Sequence, residues 1–374
     1  MNGFKNIVFA LLLALLCLPL LQQKFNLVEV KPLSGAFNLP DTVSLNKENW
    51  FSGAYQSKYS PFYEYQIGFR PFFVKLRNQL YVWTYGRSDG YVVIGNQNQL
   101  FAWNYWLIYG GGGDFLGDEE IDKRFNSVVQ FHEELKALNV PLLIVIGPNK
   151  VRHLAEYLPD NYQKEEQFPN NYNSWKERLK QSDIQVVDFN EVYTKLKNVH
   201  GTSIFPNTGT HWSQAGMAMA LDSIVSYADR VHGDSLWNVD ITNYFLADSI
   251  VDSDVDLRND LNLLFPPKRE KNLFARLKIT KEGRKPKVFT IGDSFYWNLY
   301  QLPEFFEVLD DSSHFWYYNN SDIAFDGRHI PVEQFNAQEI AAKADIVVLM
   351  ATEANFTLFP YEFTAEYLDT AKFD

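Results

Sequence analysis

A single cysteine, Cys17, rules out an intrachain disulfide and leaves the redox compartment unreadable from pairing. Basic residues are outnumbered 34 to 46, and the resulting net charge of −12 excludes the basic face of a general nucleic-acid binder. Low-complexity tracts and internal repeats are missing too. No Cys/His spacing fits zinc, and "DSDVD" (Asp252 to Asp256) is too short for a calcium loop of the helix-loop-helix type, so no metal or other cofactor is expected. The glycine run "YGGGGD" (Tyr109 to Asp114) lacks the lysine and the preceding buried strand of a phosphate loop and reads as a turn.

What is present is apolar and aromatic. At 46% hydrophobic and 16% aromatic, the chain carries far more burial than a disordered sequence does. The first 25 residues, "MNGFKNIVFALLLALLCLPLLQQKF", hold an uninterrupted apolar run from Ile7 to Leu21 with no polar face, the shape of a signal anchor or signal peptide over residues 1–27. No small-x-small cleavage site follows closely, since "SGA" (Ser34 to Ala36) lies too far downstream. The segment is therefore expected to remain as an anchor, with the rest of the chain facing the periplasm. Charge is uneven in one other place. "KREKNLFARLKITKEGRKPK" (Lys268 to Lys287) holds nine basic residues against two acids and reads as a solvated loop, with an anionic headgroup or polymer as its alternative partner.

Residues 28–90, rich in aromatics, Pro and Gly and without helical period, read as a linker with irregular extended segments. An α/β domain is expected over 91–374. "YVVIGNQNQLF" reads as strand, turn and strand; Asp118 to Leu138 carries a helical apolar stripe with acids in its first turn. "LLIVI" (Leu142 to Ile146), "IQVVDF" (Ile184 to Phe189), "KVFTIG" (Lys287 to Gly292) and "DIVVLMA" (Asp345 to Ala351) read as buried strands that alternate with amphipathic helices. That alternation predicts a three-layer sandwich with a mainly parallel sheet. Functional groups in such a sheet collect at the carboxyl ends of strands, here "GPNK" (Gly147 to Lys150), "GDSF" (Gly292 to Phe295) and "ATEAN" (Ala351 to Asn355).

A serine at a strand-to-helix turn, Ser294, displays its hydroxyl above the sheet edge, or else merely caps the helix that follows. His211, in "NTGTHWSQAG" (Asn207 to Gly216), is either its base or a cap itself.

The motifs "GDSF", "THW", "NQNQLFAWNYWLIY" and "GPNKVRHLAEYLP" together resemble the SGNH-hydrolase-like family of alginate O-acetylation proteins, the AlgX and AlgJ kind, over roughly Tyr91 to Asn355. The resemblance implies Ser294 as nucleophile and His211 as base, with Gly292, Asn149, Lys150, Trp212 and Tyr296 as oxyanion or substrate-binding residues. It implies a serine O-acetyltransferase acting on an exported or cell-surface polysaccharide, supplied with acetyl groups by a membrane-bound O-acyltransferase at the inner membrane. An aspartate two residues before the histidine belongs to the family pattern; this chain has Gly209 there. Three expectations follow: a Ser–His pair without an acid, an acid recruited from elsewhere with Glu353 as the candidate, or a non-catalytic glycan-binding accessory. A carbohydrate acetyl esterase is the remaining alternative, because it differs only in whether water or a sugar attacks the acyl-enzyme.

Overall fold

The computed structural model describes residues 2–35, 40–110, 113–163 and 168–370, so Ala36 and Gly111–Gly112, named above, lie outside the described residues. The chain divides into two compact units: residues 1–90 with 258–267, and residues 91–257 with 268–374.

The first unit is helical. Helix α1 (Asn2–Phe25) is long and apolar enough to cross a membrane. After it come α2 (Lys47–Phe51), α3 (Ala54–Gln66) and α4 (Arg70–Tyr85). These three helices replace the irregular extended chain expected over 28–90. The physical reason is that α2 and α3 bury no residue and α4 buries only Gln79, so no one-sided apolar stripe marks them in the sequence. Gly68, between α3 and α4, sits against α1 so closely that a Cβ would lie 2.2 Å from the Pro19 carbonyl.

The second unit is built on a seven-stranded sheet. A short antiparallel hairpin, β1 (Val92–Ile94) and β2 (Leu100–Ala102), opens it. Strands β3 (Leu142–Gly147) and β4 (Gln185–Asp188) follow, then a two-stranded antiparallel ribbon, β5 (Asn238–Ala247) and β6 (Asn272–Thr280). The last strands are β7 (Val288–Gly292), β8 (His314–Tyr317), β9 (Ser321–Ile323), β10 (His329–Pro331) and β11 (Ile346–Thr352). The sheet order is β10-β9-β8-β7-β11-β3-β4; β8, β7, β11, β3 and β4 run parallel, while β9 and β10 form an antiparallel edge. This is an α/β architecture with a mainly parallel sheet.

Every residue of β3, β7 and β11 is buried, which is why these strands read as continuous apolar runs. One sheet face packs Leu142, Ile144, Ile146, Phe289, Ile291, Val347 and Leu349 against residues of helices Asp118–Ala137, Asn171–Lys180 and Phe363–Thr370, among them Phe131, Trp175 and Tyr367. Each such aliphatic or aromatic side chain removed from water contributes about 1.5–3 kcal/mol. Strand β4 differs from the expectation of a buried strand: it is the sheet edge, and its residues are half-buried or exposed. The basic run also differs. Much of Lys268–Lys287 is strand β6, held by pairing with β5 and by the burial of Leu273 and Ala275, so it is not a loop.

Candidate active site

Strand register brings the carboxyl ends of β3, β11 and β7 side by side: Gly147 pairs with Thr352, and Gly292 with Tyr317 of β8. From β7 the chain turns straight into the short helix Ser294–Trp297, capped by Asp293, whose Oδ1 accepts from the Phe295 N–H at 3.0 Å. The other oxygen, Oδ2, accepts from the Thr352 N–H at 2.7 Å and Asn355 Nδ2 at 2.8 Å. This fully buried carboxylate therefore ties the serine turn to the end of β11 and is not available to a histidine. Ser294 itself is half-buried, with its hydroxyl facing outward from the strand ends.

His211 stands opposite. It does not cap the following helix; Ser213 does, accepting from the Gly216 N–H. His211 Nε2 lies 3.1 Å from Ser294 Oγ, its ring packs 4.8 Å from that of Phe295, and its side chain keeps 18% of its surface exposed. On the far side, Nδ1 lies 2.9 Å from Asp256 Oδ2. Asp256 Oδ1 accepts from the N–H groups of Thr210 at 2.8 Å and Leu257 at 2.6 Å. Three side chains from three distant stretches of chain form a Ser–His–Asp line, the arrangement in which an imidazole can take a hydroxyl proton while the carboxylate fixes its tautomer.

Gly209 explains where the acid comes from. A Cβ at this position would meet the Ser253 carbonyl oxygen at 2.4 Å and the Asp254 carbonyl carbon and oxygen at 3.0 Å. Segment 252–256 thus lies directly against the glycine backbone and brings Asp256 to the imidazole. Sequence reasoning missed Asp256, which closes the very "DSDVD" run weighed as a calcium loop. The available signal was Gly209 itself, a side chain deleted where another backbone approaches.

Glu353, the acid expected from the sequence, is placed elsewhere: both of its oxygens take the Arg152 guanidinium, Nε and Nη2 each at 2.8 Å, a bidentate pairing that commits it to the β11 end. Lys150 is fully buried and directs its ammonium to the carbonyls of Pro206 at 2.6 Å, Asn207 at 3.2 Å and Gly209 at 2.9 Å, so it supports the histidine loop from beneath instead of facing a substrate. Desolvation draws its pKa down to about 7, with the Asp256 carboxylate opposing.

Asn149 is buried as well, capping the next helix through the Val151 N–H and donating to the Tyr105 carbonyl. Trp212 and Tyr296 pack inward: Trp212 against Phe189 and Phe295, Tyr296 against Phe305 and Phe315, where burial pushes its phenol up. Their burial leaves them no surface for stacking on a sugar. Gly292 remains in place as the last residue of β7, with Met350 Cβ 3.3 Å from where its own Cβ would be.

The α/β sandwich thus presents a serine, a histidine and a carboxylate together at its strand ends. Residues 100–239 match the family model described as SGNH hydrolase-like domain, acetyltransferase AlgX. The matched stretch includes His211 and Lys150; Ser294 and Asp256 fall after it. Among solved structures, the chain is similar to the O-acetyltransferase domain of Pseudomonas putida AlgJ, with 18% identity over 75% of this chain and 99% of that one and a TM-score of 0.46. It is also similar to Pseudomonas aeruginosa AlgX (13% identity, 73% and 67% covered, TM-score 0.42) and Bacillus cereus PatB1 (11%, 71% and 96%, TM-score 0.40). No curated protein sequence matches it.

Proposed function

We propose that this protein is a serine O-acetyltransferase that carries an acetyl group on Ser294 and passes it to a hydroxyl of an exported or cell-surface polysaccharide. The observation that carries this reading is His211 held between Ser294 Oγ at 3.1 Å and Asp256 Oδ2 at 2.9 Å. Asp256 accepts a hydrogen bond from Nδ1–H, which keeps the proton on Nδ1 and leaves Nε2 as acceptor for the serine proton. As that proton moves, Oγ bonds to the acetyl carbonyl carbon, and the oxyanion that develops lies beside the backbone N–H of Ser294 at the start of its helix. Collapse expels the donor oxygen, which takes the proton back from the imidazolium and leaves the acetyl ester on Ser294. A sugar hydroxyl then gives its proton to Nε2, attacks the ester carbonyl and departs acetylated, returning the proton to Ser294.

This reading places the α/β unit in the periplasm, held at the inner membrane by α1, with a membrane-bound O-acyltransferase supplying acetyl groups. The non-catalytic alternative drew its support from Gly209, and Asp256 now stands where that reading had no acid.

The test is intact-protein mass spectrometry of the full chain in detergent, treated with p-nitrophenyl acetate. An acetyl adduct on Ser294 that vanishes in Ser294→Ala and His211→Ala supports the reading; the absence of any adduct on the wild type overturns it. Adding a polysaccharide acceptor then separates transfer from hydrolysis, since an esterase would release acetate and leave the polymer unmodified.

A further inference from the structure

A large groove in the helical unit takes no part in this chemistry. It runs between α1, the start of α4 and the segment Arg258–Pro267, with a volume of about 1560 Å³, against roughly 300–1,000 Å³ for pockets that hold compact small molecules. Its wall is apolar where it follows the middle of α1, at Leu12 and Leu16, and at Phe73 of α4, and elsewhere is net basic, with Lys31, Lys75 and Arg258 against one acid, Glu29. Lys31 follows the end of α1, and Lys75 Nζ lies over the same stretch, donating to the Pro32 carbonyl at 3.1 Å. From Leu12 to the end of α1 at Phe25 is about 20 Å of helix. The groove is amphiphilic: hydrocarbon-like on part of its wall, net cationic on another.

Two observations indicate what fills it. Helix α1 is apolar over Gly3–Phe25, and its side chains other than the buried Gln22 are exposed or half-buried, so whatever medium surrounds Leu12 and Leu16 also enters the groove. Charge is segregated as well. By sequence, the helical unit holds ten basic and six acidic residues, net +4, while the remaining 24 basic and 40 acidic residues give the other unit −16. Aromatic side chains stay exposed on the same unit, with Phe73 at 48%, Trp83 at 63% and Phe265 at 69%, as in segments seated at a membrane surface.

We propose that this groove is a phospholipid site, with acyl chains against Leu12, Leu16 and Phe73 and an anionic headgroup at Lys31, Lys75 and Arg258. The full chain is tested in a Cys17→Ser background carrying a single bimane-labelled cysteine, Phe73→Cys or, as control on the other unit, Lys281→Cys. It is reconstituted into phosphatidylcholine–phosphatidylglycerol vesicles with brominated acyl chains. The label at position 73 is expected to be quenched several-fold more strongly by bromine than the control, and to be shielded from aqueous iodide. Native mass spectrometry should show retained phosphatidylglycerol, and the double variant Lys31→Gln/Lys75→Gln should lower its retention relative to phosphatidylcholine by about 30-fold, about fivefold for each charge removed near the headgroup. Ser294 acetylation should be unchanged in that variant. Equal quenching of the two labels overturns the proposal. So does a position-73 label shielded from bromine and iodide alike, which would mean that protein covers the groove, and so does equal retention of the two lipids by the wild type.

Discussion

Installing the aspartate that the family pattern carries at position 209 should damage this protein, not improve it. The Ser253 carbonyl oxygen stands 2.4 Å from where a Cβ at 209 would be, and real contacts of this kind essentially never fall below 3.0 Å, so the backbone of segment 252–256 must retreat by at least 0.6 Å. The same segment carries Asp256. A retreat of that size takes the His211–Asp256 separation from 2.9 Å to about 3.5 Å, outside the range of an N–H···O bond. Losing the orienting carboxylate of such a relay lowers kcat by about 10⁴, or about 5.5 kcal/mol of transition-state stabilisation. Gly209→Ala isolates the steric term, so it should lose at least about 100-fold in the initial rate of acetyl transfer from p-nitrophenyl acetate, and Gly209→Asp at least as much. Because Gly209→Ala and Asp256→Asn break one interaction, the double variant should be no slower than the slower single variant. Wild-type rates in Gly209→Ala, a gain of activity in Gly209→Asp, or losses that add in the double variant would refute the reasoning.

Asp256→Asn should lower kcat for acetyl transfer by about 10³- to 10⁴-fold while leaving the thermal midpoint close to that of the wild type, since its side chain is 28% exposed. Asp293→Ala strands three donors, the N–H groups of Phe295 and Thr352 and the Asn355 amide, in a buried place; denaturant melts should show a loss of about 3 kcal/mol or more. For Lys150, the folded pKa of about 7 lies below the ordinary 10.5, so folding favours the neutral amine. The stability this contributes is present above the unfolded value and is lost as pH falls towards 7. From about pH 9 to about pH 6 the wild type should therefore lose more in its melting temperature than Lys150→Met does; parallel pH profiles would contradict the assignment.

The sequence alone determined the parts of this protein that depend on periodicity and on local chemistry. Strands β3, β7 and β11 are buried on both faces and so appear as plain apolar runs, and helix Asp118–Ala137 buries one stripe and so shows it. Ser294 and His211 were legible as candidates because a strand-to-helix turn and a pre-helix loop each announce themselves within a few residues, and the fold brings the two together. Helices α2 to α4 were not legible, because a helix that buries almost nothing is under no pressure to be amphipathic.

Only the tertiary structure decided which carboxylate lies beside His211. Glu353 and Asp256 are both carboxylates near the end of a run, and nothing local distinguishes them. Their roles diverge because Arg152 reaches Glu353 with both ends of its fork, whereas the missing side chain at Gly209 lets segment 252–256 lie against the histidine loop. Lys150 was settled in the same way. Its position after a strand is written in the sequence, but the three carbonyls that turn its ammonium inward come from residues 206 to 209, more than fifty positions along the chain. Pairings across such separations are fixed by how the backbone packs, and short-range sequence patterns carry no record of them.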